Sequence, residues 1–571
     1  MAKLFAPLPS LSGEQKTASA HDQLAFVSAS AGTGKTQVLT ARVIRLLLNG
    51  VDPSAILCLT FTKAGAAEMA DRIHERLAHW VRLKDAALAG ELIALGEDHG
   101  PESVEKARRL FARVLDARGG GLRIQTIHAF AQSLLGAFPA EAGIVPGFHP
   151  LEGREEALLA RETMAAMLVA AEERGDDELI GDIQTLSRRL GEKETENFVM
   201  RCARAPEAMD GLGDTALIGD QLRRTLGVPL GDVDAAIEQW CDDETFDCAA
   251  LREFAAANRE WGTKTGLQRA EAVAVWLATS TAQRREGLSD LRRLWMTAKG
   301  TFNSIGFDKL DTIHGEYQAL IEALDEAVGA LLAMRIKADF ADFAAAGLRA
   351  GQQFARDYAL AKRRAGGLDF DDLIRLTRAL LLQPGMGDWV RYKLDQGIDH
   401  ILVDEAQDTN DAQWLIVEKL AEEFWQADPE NEPNSDFRTI FAVGDFKQAI
   451  FGFQGTSPHQ FNLARTRFAG YIAERQRELH DLSLDRSYRS TLPILELVDQ
   501  VMQEIGAEAI GYPGALRAHR SGREKLPGRV SLWRPVVAGE DDNEGEAEEG
   551  WLGDATLEMA RRLAKQVRAW L

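Results

Sequence analysis

Ala29-Ser30-Ala31-Gly32-Thr33-Gly34-Lys35-Thr36 follows the apolar run Leu24-Ala25-Phe26-Val27 and precedes the amphipathic segment Val38 to Leu48. The order reads as strand, glycine-rich loop, helix. Closely spaced glycines let backbone N–H groups turn inward around phosphate oxygens, and the following helix N-terminus adds its positive dipole end. In such a loop Lys35 reaches the β- and γ-phosphates of a nucleotide and the Thr36 hydroxyl can hold Mg²⁺. The phosphate-binding set is therefore Ala31, Gly32, Thr33, Gly34, Lys35 and Thr36. Ala29 stands where the usual pattern has its first glycine. The plainer alternative, a turn that happens to end in Lys-Thr, is disfavoured by the strand and helix on either side.

Further apolar runs end in polar, chemically loaded residues. Ile56 to Phe61 leads into Thr62, and Leu122 to Thr126 into Ile127-His128. His400 to Val403 leads into Asp404-Glu405, and Thr439 to Val443 into Gly444-Asp445. Such runs alternating with helical patterns predict a parallel α/β sheet, whose ligands sit at the carboxyl ends of the strands. From about Pro150 to Gly366 the texture changes. Ala, Leu, Glu and Arg dominate, apolar residues recur at helical spacing and strand signals are scarce, so this region reads as an all-helical insertion.

The chain has 571 residues, room for about three to five domains. A net charge of −22, from 66 Lys+Arg against 88 Asp+Glu, argues against a passive nucleic-acid coat protein but leaves room for local basic grooves. The acidic tract Glu540 to Glu549 reads as a solvated loop. The four cysteines form no CxxC pair, which fits a reducing cytoplasm rather than a disulfide framework or zinc site. Residues 1–12 do not read as a signal peptide, and no apolar run approaches the ~20 residues of a membrane span.

Asp404-Glu405-Ala406-Gln407-Asp408-Thr409 places carboxylates at a strand end. Asp404 can hold Mg²⁺ opposite the phosphate loop, and Glu405 can orient or deprotonate an attacking water. In Gly444 to Phe453, Gln448 can sense a γ-phosphate, while Phe451 and Phe453 either stack bases or pack the core. In Asp485 to Thr491, Arg489 can act as an arginine finger and Tyr488 can stack on adenine.

Together, and in this order, these stretches resemble the superfamily 1 DNA helicases of the UvrD/RecB type, and within them the AddA branch of the AddAB helicase-nucleases. Gln15 resembles the adenine-reading glutamine. Thr60 to Lys63 with Ala66 to Ile73, and Thr126 to Phe130, resemble DNA-contacting motifs, so that Thr62, Lys63, His128, Phe451 and Phe453 would line single-stranded DNA. Asp369 to Leu373 resembles the segment that re-enters the core. Asp404 to Asn410, Val443 to Gly455 and Ser487 to Thr491 resemble motifs II, III and IV. Ala406, Gln454 and Gln37 depart from residues common in the family.

The resemblance implies a RecA-like ATP-binding core over 1–149 and 367–480, split by a helical insertion domain at 150–366, with 481–571 beginning a second RecA-like domain. It implies ATP and Mg²⁺ and, as partners, single-stranded and duplex-end DNA together with an AddB-like nuclease subunit, with no membrane. Motifs V and VI do not follow Thr491, so the expectation is an N-terminal portion that binds ATP weakly and does not unwind alone. The rivals are a UvrD- or Rep-like helicase without a nuclease partner, a non-catalytic DNA-binding module with the same loop, and a small-molecule kinase.

Overall fold

The computed structural model describes residues 6–571 apart from 118–120, 396, 427–437, 451, 453–454, 510–515 and 538–553. Phe451, Phe453 and the tract from Glu540 to Glu549 therefore lie outside the described residues. The chain forms two compact units, residues 1–134 with 374–571, and residues 135–373.

In the first unit, helix α1 (Gly13–Ala18) leads into β1 (Leu24–Ala29), α2 (Lys35–Leu48), β2 (Ile56–Thr60), α3 (Lys63–Trp80) and β3 (Arg123–Thr126). After the second unit come β4 (His400–Val403), α4 (Asp411–Gln426), β5 (Thr439–Gly444), α5 (Pro458–Glu474), β6 (Leu479–Leu484) and α6 (Leu492–Ile505). The six strands form one sheet in the order β3-β2-β4-β5-β1-β6. Every pairing is parallel. The inner strands β1, β2, β4 and β5 are buried along nearly their whole length, as continuous Val, Ile, Leu and Phe runs require when helices cover both faces. The edge strands β3 and β6 carry exposed positions.

This order interleaves the two halves of the sequence. β4 and β5, which follow the second unit in the chain, lie between β2 and β1. The register sets Val27 beside Val443 and Leu59 beside Val403. All the strand ends that the sequence marks as chemical thus reach one edge of one sheet. On one side of β1, Phe26 packs against Trp414, Phe461 and Phe468, with ring centroids 6.0, 5.8 and 5.7 Å away.

Arg42 of α2 ties this arrangement together from inside. It is wholly buried. Its Nη1 donates to Ala18 O (2.9 Å) and Ala20 O (2.7 Å), and its Nη2 donates to Thr439 Oγ1 (3.0 Å) and to Gln23 O. The guanidinium sits 5.1 Å from the Phe441 ring centroid. Burial pushes it down to about 9, which leaves it charged at neutral pH.

The second unit is built on a 49-residue helix, Tyr317–Ala365. One apolar cluster gathers Phe254, Trp295, Tyr317 and Val328, and another Met167, Leu186, Val199, Phe354 and Tyr358. The pair His149–Pro150 with Gly367–Leu368 and the buried ion cluster of Lys362 with Asp369 (2.6 Å) and Asp372 (2.5 Å) carry the unit beyond the stretch of helical composition. Among the described residues no helix is long and apolar enough to cross a membrane.

Arg42→Ala strands the buried carbonyl of Ala18 and the partly buried carbonyls of Ala20 and Gln23. At about 1–3 kcal/mol per unsatisfied group, urea denaturation is expected to register a loss of about 3 kcal/mol or more. Arg42→Lys is expected to recover only part, because an ammonium lacks the guanidinium fork. A loss below about 1 kcal/mol for Arg42→Ala, the low end for one stranded acceptor, would contradict this assignment.

Candidate functional site

The phosphate loop begins as β1 ends. Thr33 donates from its backbone N (3.2 Å) and its hydroxyl (2.7 Å) to Ser30 O, which closes the turn. Gly32 has φ 77° and Gly34, the residue before α2, has φ 92°; both are left-handed positions that suit glycine. Gly32 is required a second time by crowding, since a Cβ there would lie 2.5 Å from Arg489 Cβ. Lys35 and Thr36 open α2, so their backbone N–H groups and the helix dipole face the loop's concavity.

The acids arrive on β4. Asp404 N donates to Leu59 O at 2.9 Å, holding the strand end in register with β2. Glu405 follows in a left-handed conformation, φ 49°, which costs a non-glycine residue on the order of 1 kcal/mol or more. Its carboxylate accepts from Lys35 Nζ at 2.9 Å, with side chains 40% and 12% exposed respectively. Gln407, only 1% exposed, braces this pair. Its Nε2 donates to Glu405 Oε2 (2.8 Å) and Asp408 Oδ2 (3.2 Å), while its Oε1 accepts from Asp445 N (2.8 Å) at the end of β5.

Burial raises the pKa values of three of the aspartates here. Burial, then the neighbouring Glu405, pushes Asp404 up to about 6, and the same causes push Asp408 up to about 6. Burial raises Asp445 as well. Asp404 Oδ1 accepts the Glu405 N–H at 3.0 Å, but among the described residues no cation contacts Asp404. Asp408 Oδ1 is buried without a hydrogen-bond partner among the described residues. A site of buried carboxylates short of positive charge, beside a threonine at a helix N-terminus, is the donor chemistry that a hydrated Mg²⁺ requires. Thr36 and Asp404 fit that group.

Gln15 is buried against the loop: its Nε2 donates to Thr33 O at 3.3 Å, and its Oε1 accepts Ser12 N at 3.0 Å. Tyr488 N donates to Gly32 O at 2.8 Å, while the ring is 41% exposed under the Arg486 guanidinium, 5.9 Å from its centroid. Arg489 is exposed beside the loop, and among the described residues its guanidinium makes no hydrogen bond. Gln448 sits in the turn Phe446–Gln448, and among the described residues its amide makes no hydrogen bond. Its neighbour Lys447 instead reaches the loop, with Nζ 2.8 Å from Ser30 Oγ.

Thr62, Lys63 and His128 gather where the register Thr60–Thr126 ends β2 and β3 together. The Thr62 hydroxyl caps α3 by accepting Gly65 N at 2.9 Å. Thr62 and Lys63 are exposed. His128 is half-buried, and burial, then the charge of Lys63, holds its imidazole below the usual range.

Reasoning from sequence missed Gln407, Lys447, Asp499 and His519. Gln407 and Lys447 lie inside the strand-end motifs, where a buried polar residue between carboxylates was the available signal. His519 stands 72 residues from Lys447 in sequence, with no local pattern to announce it.

Asp404 supplies a stability test. Its folded pKa of about 6 lies above the ordinary carboxylate value, so the folded chain binds this proton more tightly than the unfolded one. The stability associated with the protonated form is fully present below about pH 4 and is lost as pH rises through about 6. In EDTA at pH 7.5, Asp404→Asn is expected to raise the unfolding free energy by on the order of 1–3 kcal/mol. The gain should shrink as pH falls from 6 toward 4. Thermal denaturation across that range checks it, and a destabilised Asn variant at pH 7.5 would contradict it.

Residues 11–469 match the model of the UvrD/REP helicase N-terminal domain. The chain is also similar to proteins named as the A-type subunit of an ATP-dependent helicase/nuclease. Identity is 25% with that of Lactobacillus acidophilus, covering 88% of this chain and 41% of the relative. For the Enterococcus faecalis protein the figures are 25%, 86% and 38%, and for that of Geobacillus thermodenitrificans 26%, 91% and 42%. The chain thus spans about two fifths of the length of these relatives. With the phosphate loop, the acids of β4 and the β5 turn meeting at the strand ends, and the family match running across all of them, the chain belongs to the UvrD/REP helicase N-terminal domain family.

Proposed function

We propose that this chain carries the nucleotide-binding and strand-contacting part of an ATP-dependent 3′-to-5′ DNA helicase or translocase. It would act in recombinational repair of double-strand breaks, in the cytoplasm, on single-stranded and duplex-end DNA, beside an AddB-like nuclease subunit. The observation that carries the ATPase reading is the 2.9 Å contact between Lys35 and Glu405, two groups 370 residues apart in sequence. Each occupies the position its chemistry calls for: a cation in the phosphate loop and a base at a strand end on the same edge of the sheet. The name borne by the relatives, which makes each of them one component of a helicase/nuclease, supports the nuclease partnership. Direction and choice of DNA ends rest on family resemblance.

In this reading Gln15 and Tyr488 border the adenine, residues 31–36 cradle the phosphates, and Thr36 with Asp404 holds Mg²⁺. The bound ion would neutralise phosphate charge that the loop alone leaves uncompensated. Glu405, released from Lys35 when that ammonium turns to phosphate, is free to orient water and accept its proton, while Gln407 keeps the carboxylate aimed. Gln448 and Arg489 respond to the terminal phosphate. Thr62, Lys63 and His128 line the single strand. The parallel pair Arg486–Ser487 with Arg520–Ser521, joined through α6, supports reading the chain after β6 as the start of a second RecA-like domain, although residues 481–484 themselves pair with β1 in the first sheet.

Equilibrium binding of Mg²⁺-ATP tests the nucleotide reading. Lys35→Ala should weaken binding at least about tenfold, the scale of one charge-assisted phosphate contact. The double variant Thr62→Ala/Lys63→Ala should keep ATP affinity and weaken binding of a single-stranded oligonucleotide. Unchanged ATP affinity in Lys35→Ala would contradict the reading.

A further inference from the structure

A second lysine reaches the phosphate loop. Lys447, just past β5, places its Nζ 2.8 Å from Ser30 Oγ and 2.8 Å from His519 Nε2. His519 Nε2 lies 3.0 Å from Ser30 Oγ, so the three polar atoms close a triangle at the start of the loop. On its other side, His519 Nδ1 contacts Asp499, and Asp499 Oδ2 accepts the His519 backbone N–H at 2.9 Å. The side chains of His519 and Asp499 are 6% and 16% exposed. The adjoining pair of Arg520–Ser521 with Arg486–Ser487 fixes this segment beside the loop.

The proton assignment follows from the partners. Asp499 accepts the hydrogen bond of Nδ1–H, which leaves Nε2 with a lone pair facing an ammonium. Lys447 therefore donates to a neutral imidazole and to a hydroxyl. An imidazolium would set an N–H against a second cation at 2.8 Å. The ammonium also lies 5.6 Å from the Phe446 ring centroid, and among the described residues it makes no third hydrogen bond. Nor does any carboxylate among them contact the ammonium; Asp445, Asp499 and Asp485 act on it only from farther away, and burial lowers its pKa. The fold thus holds a half-buried, incompletely neutralised cation at the loop with a dedicated pair of residues behind it. What the cation lacks is an anion. The Asp445 N–H at the end of β5 bonds Gln407, which bonds Glu405, so Lys447 belongs to the same end of the site as the hydrolytic acid.

We propose that Lys447 is a second phosphate-binding cation of the loop, directed at the terminal phosphate of ATP, and that His519 with Asp499 is the positioning pair that aims it. This rests on the nucleotide reading above. Competition binding of ATP and ADP, each with Mg²⁺, to the full 571-residue chain tests it, with circular dichroism to confirm folding and Lys35→Ala as reference. Lys447→Ala is expected to weaken ATP at least about tenfold and ADP less than about threefold. Lys447→Arg should retain most of the ATP affinity. His519→Ala should reproduce the selective ATP loss, and His519→Gln, whose amide oxygen can accept from Lys447, should restore it. If an alanine variant unfolds, Lys447→Met and His519→Leu carry the same expectations. Equal effects on ATP and ADP, or none, while Lys35→Ala still loses ATP, would overturn the proposal and leave the nucleotide reading standing. Failure of the unsubstituted chain to bind ATP would overturn both.

Discussion

A lysine and a glutamate 370 residues apart meet at 2.9 Å, and the geometry of the site follows from what is needed to bring them there. Lys35 is fixed by the loop after β1, Glu405 by the end of β4. The two strands are not adjacent: β5 lies between them, and β4 enters the sheet only after the chain has completed the second unit. Parallel pairing makes the convergence automatic, because every strand then ends on the same edge. A register slip at β4 would carry Asp404 and Glu405 to the wrong faces together. Arg42 guards against relative movement by bonding the segment before β1 and the first residue of β5 from a single buried guanidinium.

The same convergence is costly for the unliganded chain. Asp404, Asp408 and Asp445 all titrate above the ordinary range because they are buried, with the charge of Glu405 adding to the first two, and Glu405 adopts a backbone conformation that a non-glycine residue rarely takes. One lysine bonded to one carboxylate does not neutralise this group. Folding energy is thereby held at the strand ends, in the form of a site that awaits cations and phosphate. Gln407, which is buried, and the partly buried Lys447–His519–Asp499 set show the same logic, since their bonds point at the loop or its acids.

Much of this was legible in the sequence. The inner strands announced themselves because burial on both faces demands continuous runs such as Ile401-Leu402-Val403 and Ile440-Phe441-Ala442-Val443. The glycine-rich loop did so because only glycine suits φ 77° at Gly32 and φ 92° at Gly34. The edge strand β6, Leu479–Leu484, gave no such signal: His480, Asp481 and Ser483 interrupt it, as an exposed edge allows. The helical region was readable from composition, but its limits were not, because the ion cluster of Lys362 with Asp369 and Asp372 is a tertiary feature. His519 was invisible for the same reason, as its role is defined by Ser30 and Lys447, far away in the chain. Gln15 was picked out only by its resemblance to the adenine-reading glutamine, and its bonds to Ser12 and Thr33 could be read only from the fold.

In this reading Lys35 and Glu405 hold each other in place of a nucleotide. An experimental structure of the chain with Mg²⁺ and a non-hydrolysable ATP analogue tests it most directly. Lys35 Nζ is expected to leave Glu405 for the phosphates, and Thr36 Oγ1 and Asp404 would hold the Mg²⁺, directly or through water. An analogue bound elsewhere, with the Lys35–Glu405 contact intact, would contradict it.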